Sequence, residues 1–384
     1  MAKKDLTKEQ ISDALNNNEF LFFYQPILSL ITGKIDGAEA LIRWRHNEEF
    51  IQPNEFIPFT ERNGQITEIT NTMLSPFMAG VKKIHDSNDS IEVCLNISGQ
   101  DIQRDDFCDK LFNAIKEHKV DKTKVKLEIT ETATLTFNRH SMLIVTELVS
   151  NGIKIAIDDF GTGRSTYERL KNLPFTTLKI DNTITSSALS SPAGLTLLDH
   201  SVNIAHQLEF NTIAEGIETR EQFEYLQCLG CDHIQGYYIS RPIELSAFIR
   251  LVNEKRKWEV SGIGTIYKAK VDYCDWLRKI LFLLRVSSKN IRIVDFESIQ
   301  SPVGKWIDRT KEYFTGSDND ELIVAYKKNH ELAKHLLYAK NKDDYRTLND
   351  ILPDFLQSSI IFNKILHDLY LSEFKKLYFK HHDS

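Results

Sequence analysis

Eight short runs of β-forming residues alternate with longer helical patterns over the first two thirds of this chain of 384 residues. Strands that alternate with helical stretches are typical of βα units, and eight such units predict a closed, TIM-like (β/α)8 barrel of the α/β class. The runs are Phe20–Ser29, Ile35–Trp44, Ile91–Ser98, Val125–Thr132, Ile153–Phe160, Thr177–Asp181, Thr212–Glu218 and His233–Ser240.

The first two runs are joined by only a few residues, around Ser29–Lys34, with Thr32 and Gly33 as the turn. A parallel crossover needs about a dozen residues or more, whereas antiparallel strands are joined by short turns. We therefore predict that these two strands form an antiparallel hairpin, and that the barrel has one antiparallel strand.

Beyond residue 255 the strand pattern ends and helical periodicity takes over. Asp272–Arg285 reads as one helix, and two further apolar faces follow it. We predict two domains: a barrel over residues 1–255, and an all-helical bundle over residues 262–384 that regulates the barrel or forms a dimer. The two apolar faces are Leu322, Tyr326, Ala333, Leu336 and Leu337, then Phe362, Leu366, Leu369, Tyr370, Phe374 and Leu377.

Composition and charge exclude several classes of protein. The formal net charge is −6, so there is no basic field for binding a nucleic acid polymer. No apolar run reaches the roughly 18 residues of a membrane-spanning helix, and the N-terminal sequence lacks the apolar core of a signal peptide. The five cysteines are scattered and odd in number, which favours a reducing compartment. We expect a cytoplasmic protein with no membrane partner.

Acidic and amide side chains occur where the predicted strands end, at the edge where the catalytic groups of a barrel gather. Any one of them alone reads as an ordinary surface residue, but the set does not, because interior strands rarely carry acids unless a cation satisfies them. The candidates are Glu39, Asn96, Glu128, Glu131, Asp158, Asp159, Lys179, Asp181, Glu215, Glu218 and Gln235.

Oxygen ligands without His or Cys favour Mg²⁺ or Mn²⁺ over zinc. Asp158 and Asp159 are adjacent and point in different directions, so they can serve two different ions. Two such ions about 3.5–4 Å apart are a recurring device of phosphoryl chemistry. Lys179 is a candidate for orienting the attacking water or neutralising developing charge; an ion pair with Asp181 is the alternative.

The segment Gly37–Trp44 contains the triplet Glu39-Ala40-Leu41 and resembles the signature of the EAL domain, the cyclic-di-GMP phosphodiesterase family. The resemblance extends in order over about residues 5–250. The other matching segments are Tyr24–Ile27, Asn96–Ser98, Leu127–Glu131, Asp158–Gly163, Leu178–Asp181, Ala214–Thr219 and Gln235–Tyr237.

This resemblance implies two metal ions and hydrolysis of cyclic-di-GMP to linear pGpG. It implies that Lys179 contacts the catalytic water and that Glu131 holds the loop after the fifth predicted strand. It also implies that Glu218 contacts the metal ligands without binding a metal itself. It assigns substrate contacts to Gln25, Arg43, Asp181 and Gln235. The implied ligands are Glu39, Asn96, Glu128, Asp158 and Glu215 for one ion, and Asp159 with the shared Asp158 for the other.

The helical region has a second resemblance. Ser301–Trp306 is similar to the Cys-x-x-Gly-Lys-Trp core of CZB zinc-binding sensor domains, and Tyr273–Trp276 is similar to their His-x-x-Trp. Serine and tyrosine stand at two ligand positions, so we predict a CZB-like four-helix bundle that has lost its zinc. A rearranged zinc site using Cys274, His330 and His335 remains open, as does a docking or dimerisation module without a ligand.

The leading hypothesis is an active, metal-dependent, dimeric cyclic-di-GMP phosphodiesterase in a bacterial cytoplasm, with a signal or protein partner acting through the C-terminal helices. One alternative is a receptor or scaffold that binds cyclic-di-GMP without hydrolysing it. The complete carboxylate set argues against the receptor, which has no need of two metal sites. A different two-metal hydrolase on the same barrel is the third hypothesis.

Overall fold

The structure is a computed structural model, and it describes residues 6–161, 170–188, 190–254, 256–285, 302–310 and 317–380. The chain forms two compact units. The first comprises Met1–Ser29, Gly33–Phe223 and Asp232–Trp258, and the second comprises Leu30–Thr32, Glu224–Cys231 and Glu259–Ser384. Within the described ranges, no helix combines the length and the apolar composition that crossing a membrane demands.

The first unit is built on a closed ring of eight strands, which confirms the predicted barrel. The ring runs β1-β2-β4-β5-β6-β7-β8-β9 and returns to β1; β1 is antiparallel to both of its ring neighbours, and all other ring pairs are parallel. Two short strands, β3 and β10, pair outside the ring. The strands are β1 (Phe20–Ser29), β2 (Ile35–His46), β3 (Glu49–Ile51), β4 (Glu92–Asn96), β5 (Val125–Thr130), β6 (Lys154–Phe160), β7 (Thr177–Ile180), β8 (Asn211–Ala214), β9 (His233–Gln235) and β10 (Ile243–Glu244).

Helices follow most of the strands, and their ends show the expected local chemistry. Thr7 and Gln10 form a capping box at the first helix, and Pro53 opens the second. The described helices up to residue 253 are α1 (Lys8–Asn16), α2 (Pro53–Asn63), α3 (Ile66–Ser87), α4 (Phe107–His118), α5 (Glu131–Thr134), α6 (Arg139–Ser150), α7 (Asn182–Ala188), α8 (Pro192–Gln207), α9 (Arg220–Leu229) and α10 (Leu245–Asn253), with single turns at Asp101–Gln103 and Lys122–Lys124.

Several predicted strands end earlier than their sequence pattern suggests. β5 stops at Thr130, whose side chain caps the short helix that begins at Glu131. β8 stops at Ala214, and Gly216 then turns the chain with a φ of 69°. The strand assignments of Glu131, Asp181, Glu215 and Glu218 were therefore wrong: Glu131 begins α5, and the other three follow the strand ends, although the N–H groups of Asp181 and Glu215 still donate to Phe160 and Ile180.

The second unit contains four described helices around one apolar core. Tyr273, Trp276, Phe355 and Phe362 are buried in that core, and Asn329 lies fully buried among them. Its side chain accepts a hydrogen bond from Tyr273 Oη at 3.0 Å and donates one to Ser359 Oγ at 2.9 Å. The helices are α11 (Ile263–Arg285), α12 (Pro302–Thr310), α13 (Ser317–Asn341) and α14 (Tyr345–Lys380).

The predicted apolar faces of α13 and α14 are confirmed for all but two of their residues. Leu322, Ala333, Leu336, Leu337, Phe362 and Leu366 are buried, and Tyr326, Leu369 and Tyr370 pack against them in part. Phe374 was wrongly predicted to be in the core, because its side chain is 48% exposed. Ser301 and the side chain of Leu377 lie outside the described residues.

An aromatic cluster packs α2 against the hairpin of β1 and β2. The ring of Phe56 lies 5.5 Å from that of Phe20 and 5.8 Å from that of Trp44, with an edge-on contact to the indole. Phe56 is fully buried. Because the hairpin carries Glu39, this packing supports the strand that supplies the site.

We predict that Phe56→Ala lowers the free energy of unfolding by about 3–5 kcal/mol, since it removes a large buried side chain and leaves a cavity. Urea denaturation followed by circular dichroism measures the change. Phe50→Ala is the matched control, because that ring is 42% exposed, and it should cost less than about 1 kcal/mol. Equal losses in the two variants would contradict the assignment of Phe56 to the core.

Candidate metal centre and active site

Lys179 lies at the centre of a group of carboxylates at one end of the barrel. Its Nζ donates hydrogen bonds to Glu39 Oε2 at 3.2 Å and to Glu128 Oε2 at 2.7 Å. The same atom lies 3.0 Å from Asp158 Oδ1 and 2.8 Å from Glu215 Oε1. The lysine side chain is only 1% exposed. Carboxylates from four strands or strand ends that are distant in sequence therefore lie beside one buried cation.

Amide side chains complete this arrangement. Asn96 Nδ2 donates to Glu39 Oε1 at 2.6 Å, and Gln235 Nε2 donates to Glu39 Oε2 at 2.7 Å and to Gln25 Oε1 at 3.0 Å. Gln25 and Glu39 are direct neighbours in the β1–β2 pairing, so the antiparallel hairpin sets their spacing. The structure thus brings Asn96 and Gln235 to the carboxylates, as their positions at strand ends predicted, and places Gln25, which the resemblance assigned to substrate, beside them.

The local charge is strongly negative. Glu39, Glu128, Asp158, Asp159 and Glu215 carry five negative charges when ionised, and Lys179 supplies one positive charge, which leaves −4. Two divalent cations would supply +4. The carboxylate oxygens fall into two groups that each lie within 4.8 Å: Glu39 with Glu128 and Asp158, and Asp158 with Asp159 and Glu215. Asp158 is shared, as predicted, whereas Glu215 groups with Asp159 rather than with Glu39.

One buried oxygen of this group, Glu128 Oε1, has no hydrogen-bond donor among the described residues, whereas Asp158 Oδ1 is ion-paired with Lys179 Nζ at 3.0 Å. An ammonium has three N–H donors and cannot satisfy four surrounding carboxylates. Burying a charged oxygen without a partner is costly unless a cation coordinates it. Hard oxygen donors in this number fit Mg²⁺ or Mn²⁺, so the residues present suit the two ions that the sequence predicted.

Burial and the clustering of negative charge shift the pKa values of these carboxylates. Burial, with the charges of Glu39 and Asp158, raises the pKa of Glu128 to about 8 although Lys179 opposes the shift. Burial likewise raises the pKa of Glu215 to about 8 and, with the charge of Asp158, that of Asp159 to about 6. For Glu39, burial is outweighed by Lys179 and the two amides, which hold its pKa below the usual value.

The loop after β6 is held by Glu131. Its Oε2 accepts a hydrogen bond from the backbone N–H of Gly161 at 2.9 Å, and the carboxylate is 2% exposed. Asp159 and Gly161 both have positive φ values, 56° and 101°. The resemblance implied that Glu131 holds this loop, and the contact joins it to the first residue after Phe160. Residues 162–169, including the end of the Asp158–Gly163 motif, lie outside the described residues.

For three predicted residues, Glu218, Asp181 and Arg43, no hydrogen bond or ion pair with the carboxylates is found among the described contacts, although the charge of Asp181 contributes to the raised pKa of Asp159. The side chain of Glu218 is exposed, and none of the described hydrogen bonds or ion pairs joins it to the group. Asp181 Oδ1 accepts a hydrogen bond from Thr183 N at 2.9 Å, so that oxygen caps the start of α7. Arg43 donates to the carbonyl of Ile42 at 2.9 Å, with its guanidinium 5.7 Å from the centre of the Phe23 ring.

Two contacts were missed by the sequence reasoning. A Cβ on Gly236 would lie 2.2 Å from the backbone N and O of Ile217, so only glycine allows the chain after Gln235 to approach the loop that carries Glu215. The carbonyl of Ser240 accepts a hydrogen bond from Gln25 Nε2 at 3.3 Å. The glycine directly after Gln235 could have indicated the close approach from the sequence. A contact to a backbone carbonyl cannot be recognised there, because every residue has one.

The second unit shows no comparable group among its described side chains, since both carboxylate groups lie in the barrel. Cys274 and His335 are exposed. The ring of His330 is stacked on that of Trp276 at 4.2 Å, and burial lowers the pKa of His330 to about 4. Within the described residues, these three side chains do not form the rearranged zinc site left open above.

We predict that the affinity of the protein for Mn²⁺ rises between pH 6 and pH 8 and levels off above that. Glu128 and Glu215, with pKa values of about 8, hold protons below this pH, and a coordinating carboxylate must release its proton. Isothermal titration calorimetry in buffers of different ionisation enthalpy measures the protons released. The control Asp86→Asn changes an exposed acid outside the site and should keep the same profile. A pH-independent affinity would contradict the raised pKa values.

Comparison with known proteins agrees with this geometry. The family description "EAL domain" matches residues 8–242. The cyclic di-GMP phosphodiesterase PA2567 of Pseudomonas aeruginosa is 32% identical over 235 residues, 61% of this chain and 40% of that protein. The cyclic di-GMP phosphodiesterase PdeL of Escherichia coli is 32% identical over 64% of this chain and 68% of that protein. The match spans 40%, 31% and 36% of the lengths of three curated relatives, of which PA2567 is the first.

Two solved structures have the same fold. The PaMucR phosphodiesterase in complex with c-di-GMP has a TM-score of 0.60 and 29% identity, and the match covers 62% of this chain and 98% of that one. The EAL enzyme Bd1971, in a form bound to cAMP and cyclic-di-GMP, has a TM-score of 0.61 and 32% identity over 64% of this chain and 67% of that one. The chain belongs to the EAL domain family.

Proposed function

We propose that the barrel, residues 1–255, hydrolyses one phosphodiester bond of cyclic-di-GMP to give linear pGpG, with two Mg²⁺ or Mn²⁺ ions as cofactors. The observation that carries this proposal is the excess of carboxylates over the single cation Lys179, a charge of −4 when all five acids are ionised, with the buried Glu128 Oε1 lacking a hydrogen-bond donor among the described residues. The names of the similar proteins support the substrate, since two relatives are cyclic di-GMP phosphodiesterases and two solved structures contain c-di-GMP.

In this proposal the ligands of the ions are the six residues Glu39, Asn96, Glu128, Asp158, Asp159 and Glu215. When bound, such ions lower the pKa of a coordinated water and neutralise charge on the phosphate. The chain must hold the ligands ready. The amides of Asn96 and Gln235 fix both oxygens of Glu39, and the strand pairings fix the rest.

Lys179 stays protonated in this site, because the surrounding carboxylates raise its pKa well above the ordinary value against the effect of burial. It therefore cannot remove a proton from water as a base. We assign it to orienting the attacking water through its N–H groups and to neutralising charge on the phosphate. Arg43 and Gln25 are proposed to contact the substrate, the former through bidentate hydrogen bonds to phosphate oxygens.

The reaction balances with one water. The water oxygen forms a bond to phosphorus, the bond from phosphorus to one ribose 3′ oxygen breaks, and a proton reaches that oxygen. One proton of the water is lost during attack and one is gained by the leaving group, so no oxidant or other reactant is needed.

The test is product formation from cyclic-di-GMP by the purified chain with Mg²⁺, with Mn²⁺ and with chelator. We expect pGpG only with metal, and we predict that Glu39→Gln lowers turnover by at least about 10³-fold because it removes a ligand and a charge. The exposed Glu48→Gln, in the turn between β2 and β3, is the control and should remain active. Binding of intact cyclic-di-GMP without turnover by the unaltered protein would support the receptor alternative instead.

We also predict that Glu131→Ala lowers turnover by about 10–100-fold, since it leaves the N–H of Gly161 without its acceptor and frees the loop that follows Asp158 and Asp159. Glu131→Gln keeps an acceptor oxygen at the same place and should recover much of the activity. Turnover measured against Mn²⁺ concentration separates weaker metal binding from slower chemistry. Equal activity of the alanine variant and the unaltered protein would show that this contact does not position the loop.

A further inference from the structure

The second unit leaves many large apolar side chains in contact with solvent, and helix α11 is the clearest case. Its inner side packs Ile266, Tyr273 and Trp276 into the core with exposures of 0%, 1% and 3%. On its outer side, Phe282 is 64% exposed and Val271 is 38% exposed. A helix that is apolar on two sides has one side without a partner.

Four residues define what we call the α11 outer face: Val271, Asp275, Arg278 and Phe282. Their spacings of four, three and four residues place them along one side of the helix, since side chains three and four apart are neighbours on a helix surface. Asp275 and Arg278 form an ion pair at 3.0 Å, with side-chain exposures of 45% and 76%. The face is therefore an exposed ion pair with one apolar residue on each side.

About the point between Trp276 and Leu277, the two apolar residues are placed symmetrically, and the two charged residues are placed symmetrically but have opposite signs. Val271 and Phe282 lie equally far from that point, and so do Asp275 and Arg278. A two-fold axis through the point would place Val271 opposite the partner's Phe282, and Asp275 opposite the partner's Arg278. Two-fold contacts require a self-complementary surface of this kind.

We propose that the α11 outer face is the contact with a second copy of this chain, in which the two α11 helices pack antiparallel. Charge decides the direction of packing. In the antiparallel arrangement each carboxylate meets a guanidinium of the other copy, whereas a parallel arrangement in register sets Asp275 against Asp275 and Arg278 against Arg278. Juxtaposed like charges oppose binding and matched charges set the register.

The neighbouring apolar stripe on α14 lacks this complementarity. Leu356, Ile360, Leu371 and Phe374 are exposed there, and the positions between Ile360 and Leu371 on the same side include the basic residues Lys364 and His367. A contact of this stripe with itself offers no acidic side chain at these positions to pair with Lys364. The charge pattern therefore selects α11 for the contact between copies.

The test is sedimentation equilibrium of the full chain over a range of concentrations, with three charge variants. Asp275→Arg places two arginines opposite each other across the axis, and Arg278→Asp does the same with two aspartates. Each should raise the dissociation constant of the dimer by about tenfold or more. The double variant Asp275→Arg with Arg278→Asp exchanges the two charges, and it should restore association to nearly the unaltered value.

Two further variants serve as controls. Phe282→Ser should weaken association as the charge reversals do, whereas Val324→Ser, which changes a 66% exposed residue on α13, should leave it unchanged. Thermal melting checks that every variant is folded, and these solvent-exposed changes should move the melting temperature little.

Each outcome decides the proposal. Weaker association in both single charge variants, with recovery in the double variant, supports it. Association that is unaffected by all three places the contact between copies elsewhere and overturns it. Failure of the double variant to recover overturns the antiparallel pairing. A protein that stays monomeric at every concentration also overturns it, and assigns the α11 outer face to a different partner.

Discussion

The carboxylates at one end of the barrel carry more negative charge than the single cation Lys179 can balance. Lys179 is surrounded by carboxylates at distances of 2.7 to 3.2 Å, and one ammonium cannot balance them. The resulting repulsion, together with burial, holds protons on Glu128 and Glu215 at neutral pH. Cations that bind this site therefore relieve a cost already present in the fold, so metal binding and folding stability are coupled.

Closure of the barrel is what creates this imbalance. Glu39 and Lys179 are 140 residues apart in sequence, and each lies on a strand of a ring whose register is fixed by continuous backbone pairing. Hydrophobic burial along the strands stabilises the ring, while the polar ends of the same strands oppose it. Burial of the apolar residues of each strand thus offsets the unfavourable clustering of the carboxylates.

The sequence predicted the ring because alternating β and helical patterns have few other solutions, and it predicted the antiparallel β1 from a connection too short for a crossover. It did not predict the strand ends, because extended residues such as Glu215 have the same local pattern inside and outside the ladder. Asp181 was assigned to substrate, yet one of its oxygens caps α7, and a cap and a ligand have the same sequence signal. Phe374 fits the helical period of a core face, but period alone does not tell which of two apolar sides is covered.

The two units use buried polar groups in opposite ways. In the barrel, the buried Glu128 Oε1 has no hydrogen-bond donor among the described residues, and burying such an atom is costly unless a cation or a proton satisfies it. In the second unit, the hydroxyl of the buried Tyr273 donates to Asn329, which in turn donates to Ser359. This network joins α11, α13 and α14 through hydrogen bonds among buried side chains. The role of the second unit then rests on its surface, where charge and apolar side chains are left for a partner.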